Sequence, residues 1–151
     1  GGRASVIKQE LNESLFLRFD PERFTIPPLN YETTKIFSIP MPPGLEIKMS
    51  LDKLEGTLDK STGYIALEFE SRFIFRIFSI SFFPQLFVKT CLNSEEVNSQ
   101  LHYAKGHNMK TDGNTTLVGV ALIPRTGNKL YDLLLGLPNE ALAILKCQFK
   151  D

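Results

Sequence analysis

The sequence predicts a mainly β fold: a single-domain curved antiparallel sheet or barrel of five to seven strands, with one or two short helices. Three observations lead there. Apolar and polar residues alternate with period two over residues 45–52 and again over 67–76, the mark of strands with one buried face. Twelve Phe and four Tyr occur with no Trp, and the Phe cluster mid-chain, where stiff aromatic groups suit a pleated, half-buried surface. Short clusters of Gly, Pro, Asn, Asp and Ser separate the apolar runs, as turns between strands require.

Taken in order, residues 5–19 fit two patterns. Ile7, Leu11 and Leu15 recur at helical spacing, while Leu15, Leu17 and Phe19 alternate as a strand does. Asp20-Pro21-Glu22-Arg23 reads as a turn. Between residues 27 and 43 stand Pro27, Pro28, Pro40, Pro42 and Pro43, so this stretch is an extended edge or a wrapping loop, with at most a short strand at 35–39. Its apolar content (Ile26, Leu29, Ile36, Phe37, Ile39) predicts that it packs on the domain.

Leu45, Ile47, Met49 and Leu51 then form one face of a long strand, and Asp59-Lys60-Ser61-Thr62-Gly63 a hairpin loop. The return strand sets Leu67, Phe69, Ser71, Phe73 and Phe75 against Glu68, Glu70, Arg72 and Arg76. Beyond Phe73 the added apolar groups Ile74, Phe78, Ile80 and Phe82 predict a chain covered on both sides or curling into a barrel. After Pro84, Leu86, Val88, Thr90 and Leu92 form another strand, and residues 93–114 are polar and turn-rich, with Asp112-Gly113 as a tight turn. Residues 115–123 read as a strand. Gly127-Asn128 opens a short helix whose Leu130, Leu133, Leu134 and Leu137 share a face, stopped by Gly136 and Pro138. Residues 140–149 fit helix or strand; a closing strand is preferred because Ala141, Ala143, Leu145, Cys147 and Phe149 alternate.

The 151 residues suit one domain with its own core, here 3–151, since Gly1-Gly2 reads as a cloning remnant. Seventeen basic residues balance seventeen acidic ones, which argues against nucleic acid as a partner. No apolar run reaches the ~20 residues of a membrane-spanning helix; the longest, 73–83, is broken by Arg76, Ser79 and Ser81. Cys91 and Cys147 form no CxxC pair and are expected to be two buried, reduced thiols.

Catalytic and cofactor signals are weak. His102 and His107, with Asp112 or Glu96, match no specific metal spacing and read as exposed loop histidines. Cys91 could meet His102 but sits in an alternating strand, and no GxSxG elbow occurs. Glu68 and Glu70 lie about 7 Å apart on one strand face, where a solvated surface is the expected setting. Neither GxGxxG nor GxxxxGK[ST] is present, and no cofactor is expected.

The ribbon from Phe69 to Phe87 is the feature with functional content. As a ligand-binding surface it comprises Phe69, Ser71, Phe73, Phe75 and Ile77 on one face, with Arg72 or Arg76 pairing a polar head group. The ligand class would be a lipid, pigment or isoprenoid. Alternatively Phe78, Phe82 and Phe83 form an exposed patch for a membrane surface or protein partner, as in an assembly factor. An enzyme with a site assembled from scattered residues is the third reading. The ordinary alternative to all three is a central strand whose Phe side chains simply fill a core.

Leu54-Glu55-Gly56, Thr62-Gly63-Tyr64, Asp112-Gly113, Leu117-Val118-Gly119-Val120-Ala121 and Leu135-Gly136-Leu137-Pro138 together resemble small domains of plant and algal plastids. The resemblance implies a plastid (chloroplast) location, against a soluble intracellular one, and Arg3-Ala4-Ser5 would suit the mature end of an organelle precursor.

Overall fold

A computed structural model of the chain describes residues 5–24, 26–28, 35–36, 39–40, 43–81 and 83–150. Its centre is one antiparallel sheet of seven strands. The first segment resolves as a hairpin, β1 (Val6–Leu11) and β2 (Ser14–Phe19), turning at Asn12, whose φ is +55°. The helical spacing of its leucines is overridden because Leu17 drops into the core and only alternation delivers it there. A 3-10 turn at Pro21–Arg23 follows, capped where the Asp20 carboxylate accepts the Glu22 N–H at 3.0 Å.

In the proline-rich stretch, β3 (Lys35–Ile36) and β4 (Ile39–Pro40) pair with each other alone. Ile26 is half-buried while Pro27 and Pro28 are exposed; the expected packing of Leu29 and Phe37 lies outside the described residues. The long hairpin of β5 (Leu45–Asp59) and β6 (Ile65–Ile77) is the backbone of the sheet. Its loop is held by the Asp59 carboxylate, which accepts the N–H groups of Ser61 (2.7 Å) and Thr62 (3.1 Å). β7 (Leu86–Asn93), β10 (Asn114–Ile123) and β11 (Asn139–Gln148) complete the sheet in the order β1-β2-β5-β6-β7-β10-β11. The segment that fitted helix or strand is thus the last strand.

The sheet curls. Residues from strands far apart in its order share one core: Leu17 of β2, Leu54 and Leu58 of β5, Leu67 of β6, Leu92 of β7 and Leu117 of β10, with Leu145 of β11 packed against them. Phe19 at the end of β2 and Phe149 just beyond β11 meet edge to face at 6.3 Å. The β5–β6 register slips between Leu51 and Lys53, an irregularity of the kind that bends a strand. Curvature is eased at Gly56 and Gly119, where a Cβ would stand 2.0 Å from Ala66 O and 2.6 Å from Cys91 O. The curl stops short of closure, so the barrel alternative is corrected to an open sheet: β1 and β11 are its edge strands.

Two features of the fold depart from the sequence reading. The polar stretch after β7 contains a small hairpin, β8 (Glu96–Asn98) and β9 (Tyr103–Lys105), which packs against β10, where His107 bridges Thr116 by backbone. The helix α1 (Lys129–Leu135) occurs where expected, capped by Asn128 Oδ1 accepting the Tyr131 N–H at 3.0 Å and ended at Gly136, whose φ is +65°. Its apolar face is turned the other way: Tyr131 and Asp132 are buried, and Leu130, Leu133 and Leu134 face solvent. The sheet mouth is lined by rings, and Tyr131 fits it by stacking on Phe83 (4.6 Å, 11°) and meeting Phe75 edge-on (5.6 Å).

Candidate functional site

Alternation along β6 sorts the ribbon onto two faces. Phe69, Phe73 and Phe75 point to the concave side, and cross-strand neighbours from β5 (Ile47, Met49) and β7 (Leu86, Val88) flank them. Together with Ala141 and Ala143 of β11 they wall a cavity of about 500 Å³. It lies between two packed zones. At one end is the leucine core; at the other, Tyr131, Leu86 and Leu137 close the sheet with Phe73, Phe75 and Ile123. Phe24 and Ile26, just beyond the 3-10 turn, also reach the cavity wall.

No charged side chain lines the cavity among the described residues. Its one polar lining residue, Thr90, spends its hydroxyl on the backbone, donating to Val120 O at 2.8 Å. Such a space favours uncharged hydrocarbon, because an ion brought inside would lose its hydration with nothing to replace it.

Two hydroxyls on the concave side are buried without a hydrogen-bond partner among the described residues, Ser71 Oγ (residue 2% exposed) and Tyr131 OH (1%). Burial pushes the Tyr131 phenol up to about 12, so it stays protonated and is a donor throughout the neutral range. Ser71 lies between Phe69 and Phe73 in β6 but is packed under Leu51 and Val88 rather than open to the cavity. Ile77 is half-buried at the end of β6, outside the lining.

Arg72 and Arg76 lie outside the cavity lining. Both point to the convex face, opposite the phenylalanines, because strand side chains change face at every residue. There the Arg72 guanidinium grips the Asp52 carboxylate (2.6 Å from Nη2 to Oδ1), and Arg76 stands 3.9 Å from Glu46. Glu68 and Glu70 share that face, paired with Lys53 and Lys89. Ion pairs hold the Glu68 carboxyl below and the Lys53 and Lys89 amines above their usual ranges, the pattern of a solvated charged surface.

Cys91 is exposed on this convex face, a correction to the expected pair of buried thiols: Thr90 and Leu92 take the inward positions and leave it the outward one. Cys147 faces inward, and burial pushes its thiol up to about 11. Both are free. His102 and His107 flank β9. His102 is tied to Ser99 and, through Nε2 at 3.3 Å, to Glu140 O, whereas His107 pairs by backbone with Thr116. Among the described residues no three His, Cys, Asp or Glu side chains gather as metal ligands. His107 borders a shallow polar hollow of about 420 Å³ with Glu95, Glu96 and Lys105, open to water.

Sequence reasoning missed the contribution of β11 and of Phe24. Small residues at alternate positions, Ala141 and Ala143, were the available signal, since they leave space on a face otherwise filled by leucine and phenylalanine. No protein-family model matches the sequence, and neither a curated protein nor a solved structure matches it.

Proposed function

We propose that this domain binds an elongated, uncharged apolar molecule, of the lipid, pigment or isoprenoid kind, inside its curved sheet. The observation that carries the reading is the cavity of about 500 Å³ with apolar walls. Its size falls within the ~300–1,000 Å³ range of small-molecule sites. Phe69, Phe73 and Phe75 are its aromatic wall, and Ala141 and Ala143 leave the room. No arginine lines the cavity among the described residues to hold a carboxylate or phosphate, so a polar head would remain in water. The tail's likeness to plastid domains adds a plastid location to this reading, which imaging of the tagged full-length protein in its own cells tests.

The binding experiment uses the neutral fluorophore N-phenyl-1-naphthylamine. Wild type should enhance its emission saturably, and Ala141→Phe, which places a ring in the cavity, should abolish the enhancement while melting within a few degrees of wild type. A wild type that leaves the dye in water, or an Ala141→Phe variant that binds it equally, overturns the proposal. Native mass spectrometry of protein from its own tissue would then weigh the natural ligand.

A further inference from the structure

The outward face of α1 carries three leucines in two turns: Leu130 is 71% exposed, Leu133 80% and Leu134 69%. Clustered exposure of this degree is unusual for a surface that meets only water. A second apolar element stands at the same end of the sheet. β6 finishes at Ile77, and the chain reverses through Phe78 and Ser79, both in the left-handed region (φ +48° and +68°), before Ile80 pairs back on Ile77. Turns of this geometry favour Gly or Asn; here the turn holds a phenylalanine ring 74% exposed, with Ile80 exposed beside it. Phe83, a few residues on, stacks on Tyr131 and so ties this turn to the inner face of the helix.

Charge around the helix is one-sided. Lys129 and Arg125 are exposed and make no ion pair among the described residues. The one acid of the helix, Asp132, is turned inward, its carboxylate accepting from the Thr126 hydroxyl (2.6 Å), the Thr126 N–H (2.8 Å) and the Gly127 N–H (3.3 Å). The outward surface therefore offers leucine flanked by cations. Leucines that enter the acyl boundary while basic groups stay at the head groups are how a helix lies on an anionic bilayer.

We infer that the α1 face of Leu130, Leu133 and Leu134, with Phe78 and flanking Lys129 and Arg125, docks on the surface of an anionic lipid bilayer. This surface is separate from the cavity and does not require it to hold a ligand. Docking would nevertheless bring the ring-closed end of the sheet against the membrane, since Tyr131 on the inner face of the same helix forms that closure.

Co-sedimentation with phosphatidylcholine vesicles, with and without phosphatidylglycerol, tests the inference. Wild type should pellet with the anionic vesicles and be released by salt. Leu130→Gln, Leu133→Gln and Leu134→Gln keep helix propensity, and each should weaken partitioning by roughly tenfold. Arg125→Glu with Lys129→Glu, which leaves the apolar face intact, should remove the preference for anionic vesicles. Melting curves confirm that the variants fold; if the glutamine variants do not, the charge-reversal pair decides alone. Absence of wild-type binding to either vesicle overturns the inference. So does retained binding in folded variants, or a concentration-dependent dimer that Leu133→Gln dissolves in place of vesicle binding.

Discussion

The two ends of the curved sheet use the same strands to opposite effect. Toward the Asp59–Gly63 loop, Leu58, Ile65, Leu67, Leu92 and Leu117 interlock, each almost wholly buried. Toward α1 the same strands present Phe69, Phe73 and Phe75, which are only half-buried because they border open space. The larger side chains are thus the less completely packed ones. Volume on a strand face does not by itself make a core; what matters is whether the facing strand supplies a complement. Leu117 faces other leucines across the curl, whereas the phenylalanines face Ala141 and Ala143 of β11.

The contrast can be measured by truncation. Leu117→Ala should cost about 2–5 kcal/mol in urea unfolding, because a tightly held site relaxes little around the hole. A cost under about 1 kcal/mol there would mean that the leucine end is as loose as the other. Ser71→Leu comes next. Ser71 lies on the cavity side but is sealed in, so the added volume should overpack it and destabilise by about 1–3 kcal/mol. Probe uptake by that variant, if folded, should persist, unlike that of Ala141→Phe. Phe73→Ala should follow at about 1–2 kcal/mol, well short of the ~3–5 kcal/mol of a buried ring, because half of its surface faces the cavity already. A full core-sized loss would show that the cavity is closed in solution.

Tyr131→Phe removes a buried hydroxyl that has no partner among the described residues and should stabilise the protein by about 1 kcal/mol while leaving the ring contacts with Phe75 and Phe83 in place. The smallest effect is one of pH. Hydrogen bonds from Thr126 and Gly127 hold the Asp132 carboxyl below its usual range. Because its folded value is the lower one, this contribution is complete above the unfolded value near ~4 and disappears as pH falls through the folded value. Amide protection at Thr126 and Gly127, relative to the intrinsic exchange rate at each pH, should therefore be lost in acid before that at Leu67 or Leu117; simultaneous loss would show that the two ends unfold as one.

Much of this architecture is legible in the chain. Period-two alternation located β5, β6 and β7, the β-branched content of residues 115–123 located β10, and the Gly127-Asn128 and Gly136-Pro138 signals bracketed α1 closely. What alternation conveys is which residues share a face; it does not say which face the fold buries. The leucines of α1 show this: Leu130, Leu133 and Leu134 share a face yet stand in solvent, because the rings around Tyr131 take the other side. Arg72 and Arg76 carry the converse lesson, since strict alternation with Phe73 and Phe75 already excluded them from the same cavity. The β8–β9 hairpin was hidden because its strands are three residues each and polar, held by neighbouring backbone rather than by an apolar face. Where the cavity lies depended on contacts between β6 and β11, more than sixty residues apart, and no local pattern encodes those.

The outer edge of β11 has a further consequence, for the behaviour of the protein in concentrated solution. This ten-residue strand ends the sheet, so one side of its backbone is not used by the ladder to β10. Natural edges are commonly blunted by proline, a bulge or charge, but here Ala141-Leu142-Ala143-Ile144-Leu145 runs apolar and regular, with only Glu140 and Lys146 at its flanks. Such a segment is a template for cross-strand growth between molecules. The same residues that leave room in the cavity thus leave the edge open, and the protein's solubility at high concentration rests on the two flanking charges, Glu140 and Lys146.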